Sequence, residues 1–290
     1  MQYTYDWQTA PLLFGSSYED SAIELAAFRP HSRVFAIAGS GETACGLAAA
    51  GHHVIAVDLN PRQVDYARAH LGGAAPRSGR VEQVLAFGRA LIPAAGWTRP
   101  KVREFVSLSN PADQVDYWDR VLDTHRFRLA LDALLLLRLA FARHLTRSLP
   151  SGFATVVRQR LRRCWTTHSN RTNPFAWRLL LGESDRPHGP FARVEFACAD
   201  AAAYLESCPP ASFDAFALSN VLDGADPSYC RRLHQAVIRA ASPGAPVVLR
   251  SLAEPHNGMH DNRAADDRSP LWGVVQVARA AESWIPCSIS

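Results

Sequence analysis

The chain is 290 residues long with a formal net charge of +4, and 48% of it is apolar against 20% charged; that balance suits a globular core and excludes a disordered or fibrous chain. Its longest apolar stretch, residues 129–142, is broken by Asp132 and Arg138 and is too short and too charged to span a bilayer. Six cysteines (Cys45, Cys164, Cys198, Cys208, Cys230 and Cys287) never fall in a CxxC pair, so no zinc ribbon, iron–sulfur cluster or disulfide framework is expected. The first residues, MQYTYD, lack the basic-then-apolar layout of a signal peptide, and a cytoplasmic location is expected.

In chain order, residues 33–38 (RVFAIA) are a short apolar run entering a glycine turn, the pattern of a buried parallel strand. Residues 42–50 are alanine-rich and favour a helix, and Gly51 sits where a helix C-terminus wants a left-handed residue. A second strand is expected at 53–57. Pro61 suits the first position of a helix running to about Leu71, which Gly72 and Gly73 end. Residues 74–190 break this alternation. Within them, 116–149 carry helical apolar spacing and 156–164 continue it with arginines on the polar face. A mostly helical insertion over the carboxyl edge of the sheet is expected there, where open α/β folds bind ligands. Residues 126–163 hold nine arginines and one aspartate, a local +8 that leaves the other 252 residues at −4. Such a stretch is either a surface for an anionic partner or a solvated helix face. Strands resume at 194–198, 213–218 and 246–251, with a helix at 227–241. Strands separated by helices imply an α/β fold with a mainly parallel sheet and right-handed crossovers, in one domain over 1–290.

Gly39, Ser40, Gly41 and Glu42 join the first strand to the first helix of this pattern. Glycine lets the backbone approach a ligand, and a helix N-terminus offers unpaired N–H groups. Asp58 closes the second strand 17 residues after Gly41, the position from which a carboxylate grips both ribose hydroxyls. A dinucleotide would put its pyrophosphate beside Glu42, an unfavourable pairing of negative charges. A ligand with an ammonium or sulfonium group suits that acid better, and Asp200 follows a strand as an acidic adenine-edge contact does. S-adenosylmethionine is therefore the preferred ligand.

Residues 14–20 (FGSSYED), 33–41 (RVFAIAGSG), 56–63 (AVDLNPRQ) and 213–220 (FDAFALSN) with Asp223 are similar to the betaine-lipid-synthase type of S-adenosylmethionine 3-amino-3-carboxypropyltransferase. So are residues 244–250, 267–269 and 271–273, in the expected order. The resemblance implies a Rossmann-like class I methyltransferase fold, with S-adenosylmethionine as substrate and no metal. It also implies attack at the γ-carbon of the aminobutyrate arm, leaving methylthioadenosine, rather than at the methyl.

Roles follow for particular residues. Asp58 is the expected ribose ligand, or else a capping residue for the helix at Pro61. Leu59, Asn60 and Gln63 by resemblance line the same pocket, and Asp200 with Ala201 meets the adenine, with N-cap as the plain alternative. Ser219 and Asn220 end a strand beside the sulfonium and are candidates to bond the amino-acid arm. By resemblance the segment of Tyr18, Glu19 and Asp20 closes over the ligand, with Tyr18 touching its amino-acid end; otherwise these are helix-capping acids. Asp223 is the preferred proton acceptor, ahead of His256 and His260. Arg250 and Arg268 are candidates to pair with a carboxylate. The acceptor is a small molecule, a lipid hydroxyl, or the ligand's own α-amine, which would close azetidine-2-carboxylate. Ordinary methyl transfer is the competing activity. A non-catalytic binder using the 126–163 stretch ranks lowest, so nucleic acid is not an expected partner and membrane contact is peripheral at most.

Overall fold

A computed structural model describes residues 9–141, 150, 152–183, 194–255, 259, 261–282 and 284. These form two compact units. The first takes in the described residues up to Gln83, those from 194 to Arg250, and those from Val275 on; the second covers Val84 to 183 and Ser251–Val274.

The first unit holds a sheet of β1 (Arg33–Ile37), β2 (His53–Asp58), β3 (Val194–Cys198), β4 (Ala215–Ala217), β5 (Pro246–Ser251) and β6 (Val274–Arg279), in spatial order β3-β2-β1-β4-β5-β6. The first five strands are parallel, with Phe35 opposite Ile55 on one side and Phe216 on the other; β6 runs antiparallel beside β5. The sequence pattern does not anticipate β6, because no helix precedes it to mark a crossover. Phe213, placed in β4 from its apolar neighbours, makes only an isolated bridge to Ala241.

Helices α1 (Ala22–Ala27), α2 (Glu42–Ala49), α3 (Pro61–Leu71), α10 (Ala201–Ser207) and α11 (Pro227–Ala240) belong to this unit. Their starts follow from local chemistry. Asn60 caps α3 by accepting from Arg62 N at 3.0 Å ahead of Pro61, and Asp226 caps α11 through Ser228 N ahead of Pro227. The α11 stripe of Leu233, Ala236, Val237 and Ala240 is buried, as are Phe35, Ile55, Phe213, Phe216 and Val247 of the sheet region, and together they form one core. Truncating a ring such as Phe35 would cost about 3–5 kcal/mol.

Between α3 and β3 the described chain is helical: α4 (Arg80–Leu91), α5 (Arg99–Val106), α6 (Pro111–Tyr117), α7 (His125–Phe141), α8 (Phe153–Thr167) and α9 (Pro174–Leu181). The long helix expected from Asp116 is interrupted. A π-turn at Trp118–Leu122 ends α6, and Thr124 Oγ1 accepts from Phe127 N at 3.2 Å to start α7 afresh; the end of that stretch, 142–149, lies outside the described residues. The second unit has its own aromatic core, in which Trp97 stacks on Phe127 at 4.3 Å and Trp165 meets Phe105 edge-on at 5.3 Å. Among the described residues no helix is long and apolar enough to cross a membrane. Among the described residues, Cys45, Cys164, Cys198 and Cys208 are free thiols.

Candidate functional site

In the order β3-β2-β1-β4-β5 the winding reverses between β1 and β4, and a crevice opens outside the carboxyl ends of strands at such a point. The Gly39–Gly41 turn leaves β1 there. Gly41 has φ +88° and is the N-cap of α2, with no side-chain cap, and an added Cβ would lie 3.2 Å from that of Ala67. Helices α3, α10 and α11 begin under an Asn or Asp side chain, whereas no side chain caps α2, and a helix N-terminus of that kind suits an anionic group. Ser40 is 3% exposed, and its Oγ has no hydrogen-bond partner among the described residues. Glu42 opens the helix and is half-buried.

Asp58, at the end of β2, accepts from Asn60 N at 2.9 Å and from Gly39 N at 3.3 Å, so one carboxylate joins the two loops. Burial pushes its carboxyl up to about 6, against the lowering effect of the Asn60, Gly39 and Leu59 N–H groups. Asn60, not Asp58, caps α3, and its amide also donates to Pro11 O at 2.9 Å. Gln63 accepts from Leu13 N and Phe14 N, each at 3.1 Å, and donates to Phe14 O and Gly39 O at 2.8 and 2.7 Å. Both side chains are buried and bound to backbone; they hold residues 11–14 against the glycine turn. Leu59 is 37% exposed.

The next residues are held as firmly. Glu82 accepts from Gly15 N at 2.7 Å and Ser16 N at 3.2 Å, and Tyr66 donates to Gly15 O at 2.6 Å. A Cβ on Gly15 would stand 1.9 Å from Arg77 O, so only glycine fits. Sequence reasoning missed Glu82 and Tyr66, because nothing in their spacing links them to residue 15.

This segment delivers Tyr18, which is 6% exposed, and Glu19. Glu19 Oε1 accepts from Ser219 Oγ, and Thr43 Oγ1 of α2 donates to Oε2 at 3.5 Å. Ser219 follows β4 with φ +53°, an unusual conformation for a side-chain-bearing residue and a form of strain that clusters at functional sites. Its Oγ lies 3.3 Å from Asn220 Oδ1, and Asn220 Nδ2 donates to Asp223 Oδ2 at 3.3 Å. The structure thus brings Glu19, Ser219, Asn220 and Asp223 into one polar line.

Behind this line stands Arg250, 1% exposed. It donates to both oxygens of Glu24 (Nη2 to Oε2 at 3.1 Å) and to Asp20 O at 2.9 Å, and Nη1 lies 3.9 Å from Glu19 Oε2. Arg250 therefore does pair with a carboxylate, but one of the chain's own. Burial raises the Glu19 carboxyl above its ordinary value, opposed by Arg250. Asp200 caps α10 through Ala203 N at 2.8 Å, lies 3.3 Å from Arg232, and precedes buried Ala201. His256 and His260 lie outside the described residues.

Among the described residues of the 126–163 stretch, four arginines are paired with acids within the second unit. Arg128 and Arg158 share Asp123, Arg162 pairs with Asp119 at 2.8 Å, and Arg160 pairs with Glu254. Arg268 of this unit has its guanidinium 6.0 Å from the centre of the Phe175 ring. In the first unit a cavity of about 160 Å³ lies at the amino ends of β1 and β5, lined by Arg29, His31, Asp214 and Ser242 among others. That is the edge of the sheet away from the glycine turn, and the uncapped helix and the unpartnered Ser40 hydroxyl favour the carboxyl edge instead. Neither a protein-family model nor a curated protein matches the chain.

Proposed function

We propose that the protein is an S-adenosylmethionine-dependent transferase that directs a nucleophile to the γ-carbon of the aminobutyrate arm. The observation that carries this reading is the convergence at the β1/β4 switch point of an uncapped helix behind a glycine turn, an orphaned Ser40 hydroxyl and the Asp58 carboxylate. A nucleoside with an amino-acid arm satisfies all three. Ionised Asp58 accepts from the ribose hydroxyls, the α2 N–H groups take the arm's carboxylate, and Asp200 with Ala201 borders the adenine. The fit favours a ligand bearing positive charge, because Glu42 and Glu19 flank the turn. The choice of γ-carbon over methyl rests on the family resemblance, together with the Ser219, Asn220 and Asp223 line at the β4 end, which suits an arm held extended.

In this reading the nucleophile forms a bond to the γ-carbon as the S–Cγ bond breaks. The electron pair passes to sulfur, and neutral methylthioadenosine leaves. The proton of the nucleophile goes to Asp223, held by Asn220. Alignment of the attacked carbon opposite its leaving sulfur does much of the catalysis.

Product analysis after incubation with S-adenosylmethionine tests the reading. Methylthioadenosine is expected, together with azetidine-2-carboxylate if the α-amine is the nucleophile, or an aminocarboxypropyl adduct if an acceptor is present. S-adenosylhomocysteine as the sole nucleoside product would assign methyl transfer instead.

A further inference from the structure

Glu19 stands out among the buried groups of the first unit. Two carboxylates, Glu19 and Glu24, face one guanidinium, and Arg250 is closer to Glu24: it bonds both Glu24 oxygens but stands 3.9 Å from Glu19. Glu24 has no exposed surface, whereas the Glu19 side chain keeps 14%. Among the described residues, the groups that act most strongly on Glu19 are Arg250, Glu24 and the hydroxyls of Ser219 and Thr43. Hydroxyls stabilise a carboxylate without neutralising it, and a carboxylate has about four acceptor sites, more than these two donors fill. As an anion, a largely buried acid short of a counter-charge is unfavourable, and either a proton or a cation relieves it.

The surroundings say which cation. Thr43 lies in the first turn of α2, beside the N–H groups suited to a carboxylate, and Ser219 ends β4. An amino acid carries its ammonium one carbon from its carboxylate. We infer that Glu19 seats the α-ammonium group of the amino-acid arm, so that the site requires a ligand with a free cationic amine. This rests on the proposed function and adds to it the group that reads one end of the substrate. The backbone that delivers Glu19 is held in place, because Glu82, Tyr66 and Gln63 anchor residues 13–16 just ahead of it.

The test is titration of the full chain with three nucleosides, in the wild type and Glu19→Gln. S-adenosylmethionine and S-adenosylhomocysteine both carry the ammonium; methylthioadenosine does not. Loss of one charged hydrogen bond predicts at least a roughly tenfold weakening for the first two, with methylthioadenosine changed less than about twofold. A loss confined to S-adenosylmethionine would mean that Glu19 senses the sulfonium. An equal loss for all three would mean that it only shapes the turn, and no loss for any would mean that it makes no contact; each result overturns the inference. If the wild type binds none of the three, the proposed function falls first. Should Glu19→Gln not fold, the wild type alone decides: S-adenosylhomocysteine must bind at least about tenfold tighter than its deaminated analogue, and equal affinity refutes the role of Glu19.

Discussion

Arg160 and Arg250 are buried to almost the same depth, at 3% and 1% exposure, but they are neutralised differently. In the second unit Arg160 donates to Leu252 O, Ala253 O and Leu271 O, and the acid it pairs with among the described residues, Glu254, is 46% exposed. Water solvates that carboxylate, so the clamp is complete in itself. In the first unit Arg250 faces Glu24, which has no exposure, and leaves Glu19 with a hydroxyl pair and a distant share of the same cation. A buried charge that serves only to tie chain segments together is balanced within the fold; a surplus of buried negative charge marks a place where a ligand completes the balance.

Substitution at the two arginines should break or sharpen this contrast most strongly. Arg250→Met leaves two buried carboxylates unpaired and should lower stability by about 3–5 kcal/mol at pH 7. Part of that loss should return as the pH is lowered and Glu19 takes up a proton. Arg160→Met should destabilise less, with no recovery in acid, because Glu254 already reaches water. Denaturant melts of both variants at pH 7 and pH 4.5 check this, and equal losses with equal pH response would remove the distinction.

Asp58 gives the next largest effect. Its folded pKa, about 6, lies above the ordinary 3.8 because burial disfavours the charged form. The stability linked to its protonation is therefore present below the unfolded value and is lost as pH rises through about 6, amounting to roughly 3 kcal/mol. Asp58→Asn should accordingly be more stable than the wild type at pH 7.5, by up to that amount, with the gap closing near pH 4. The same change should abolish S-adenosylmethionine binding, and wild-type affinity should fall as pH drops through 6. An Asp58→Asn protein that is less stable at pH 7.5, or binds normally, would contradict this assignment. Asp223→Asn should leave affinity unchanged and slow turnover about a hundredfold, measured as methylthioadenosine release; a wild-type rate would move the base elsewhere. Smallest of all, Arg162→Ala removes a half-exposed pair with Asp119 and should change stability by less than about 1 kcal/mol.

Much of the first unit was legible in the sequence, because its signals are local. Apolar runs of strand length, Pro61 behind Asn60, and glycines at 39 and 41 each specify their own neighbourhood, and strands and helices lie within a few residues of expectation. The break between α6 and α7 was written locally too, in the Asp123–Thr124 pair, but a continuous apolar stripe outweighs it in a periodicity count. The buried acid cluster was not legible. Glu24 and Arg250 are 226 residues apart, and Glu19 and Ser219 are 200 apart; only the sheet order brings them together. From the residues alone Glu19 and Asp20 read as helix-capping acids and only the resemblance placed them over a ligand; Asn60 and Gln63, pocket residues by resemblance, also brace backbone.

The most direct measurement is hydrogen–deuterium exchange of the wild-type chain with and without saturating S-adenosylmethionine. Ligand held at the β1/β4 switch point should slow exchange at the amides of residues 39–45, with lesser protection at 14–20, 58–63 and 219–223. Protection centred on other segments, or none at all at saturation, would contradict the placement on which the whole account depends.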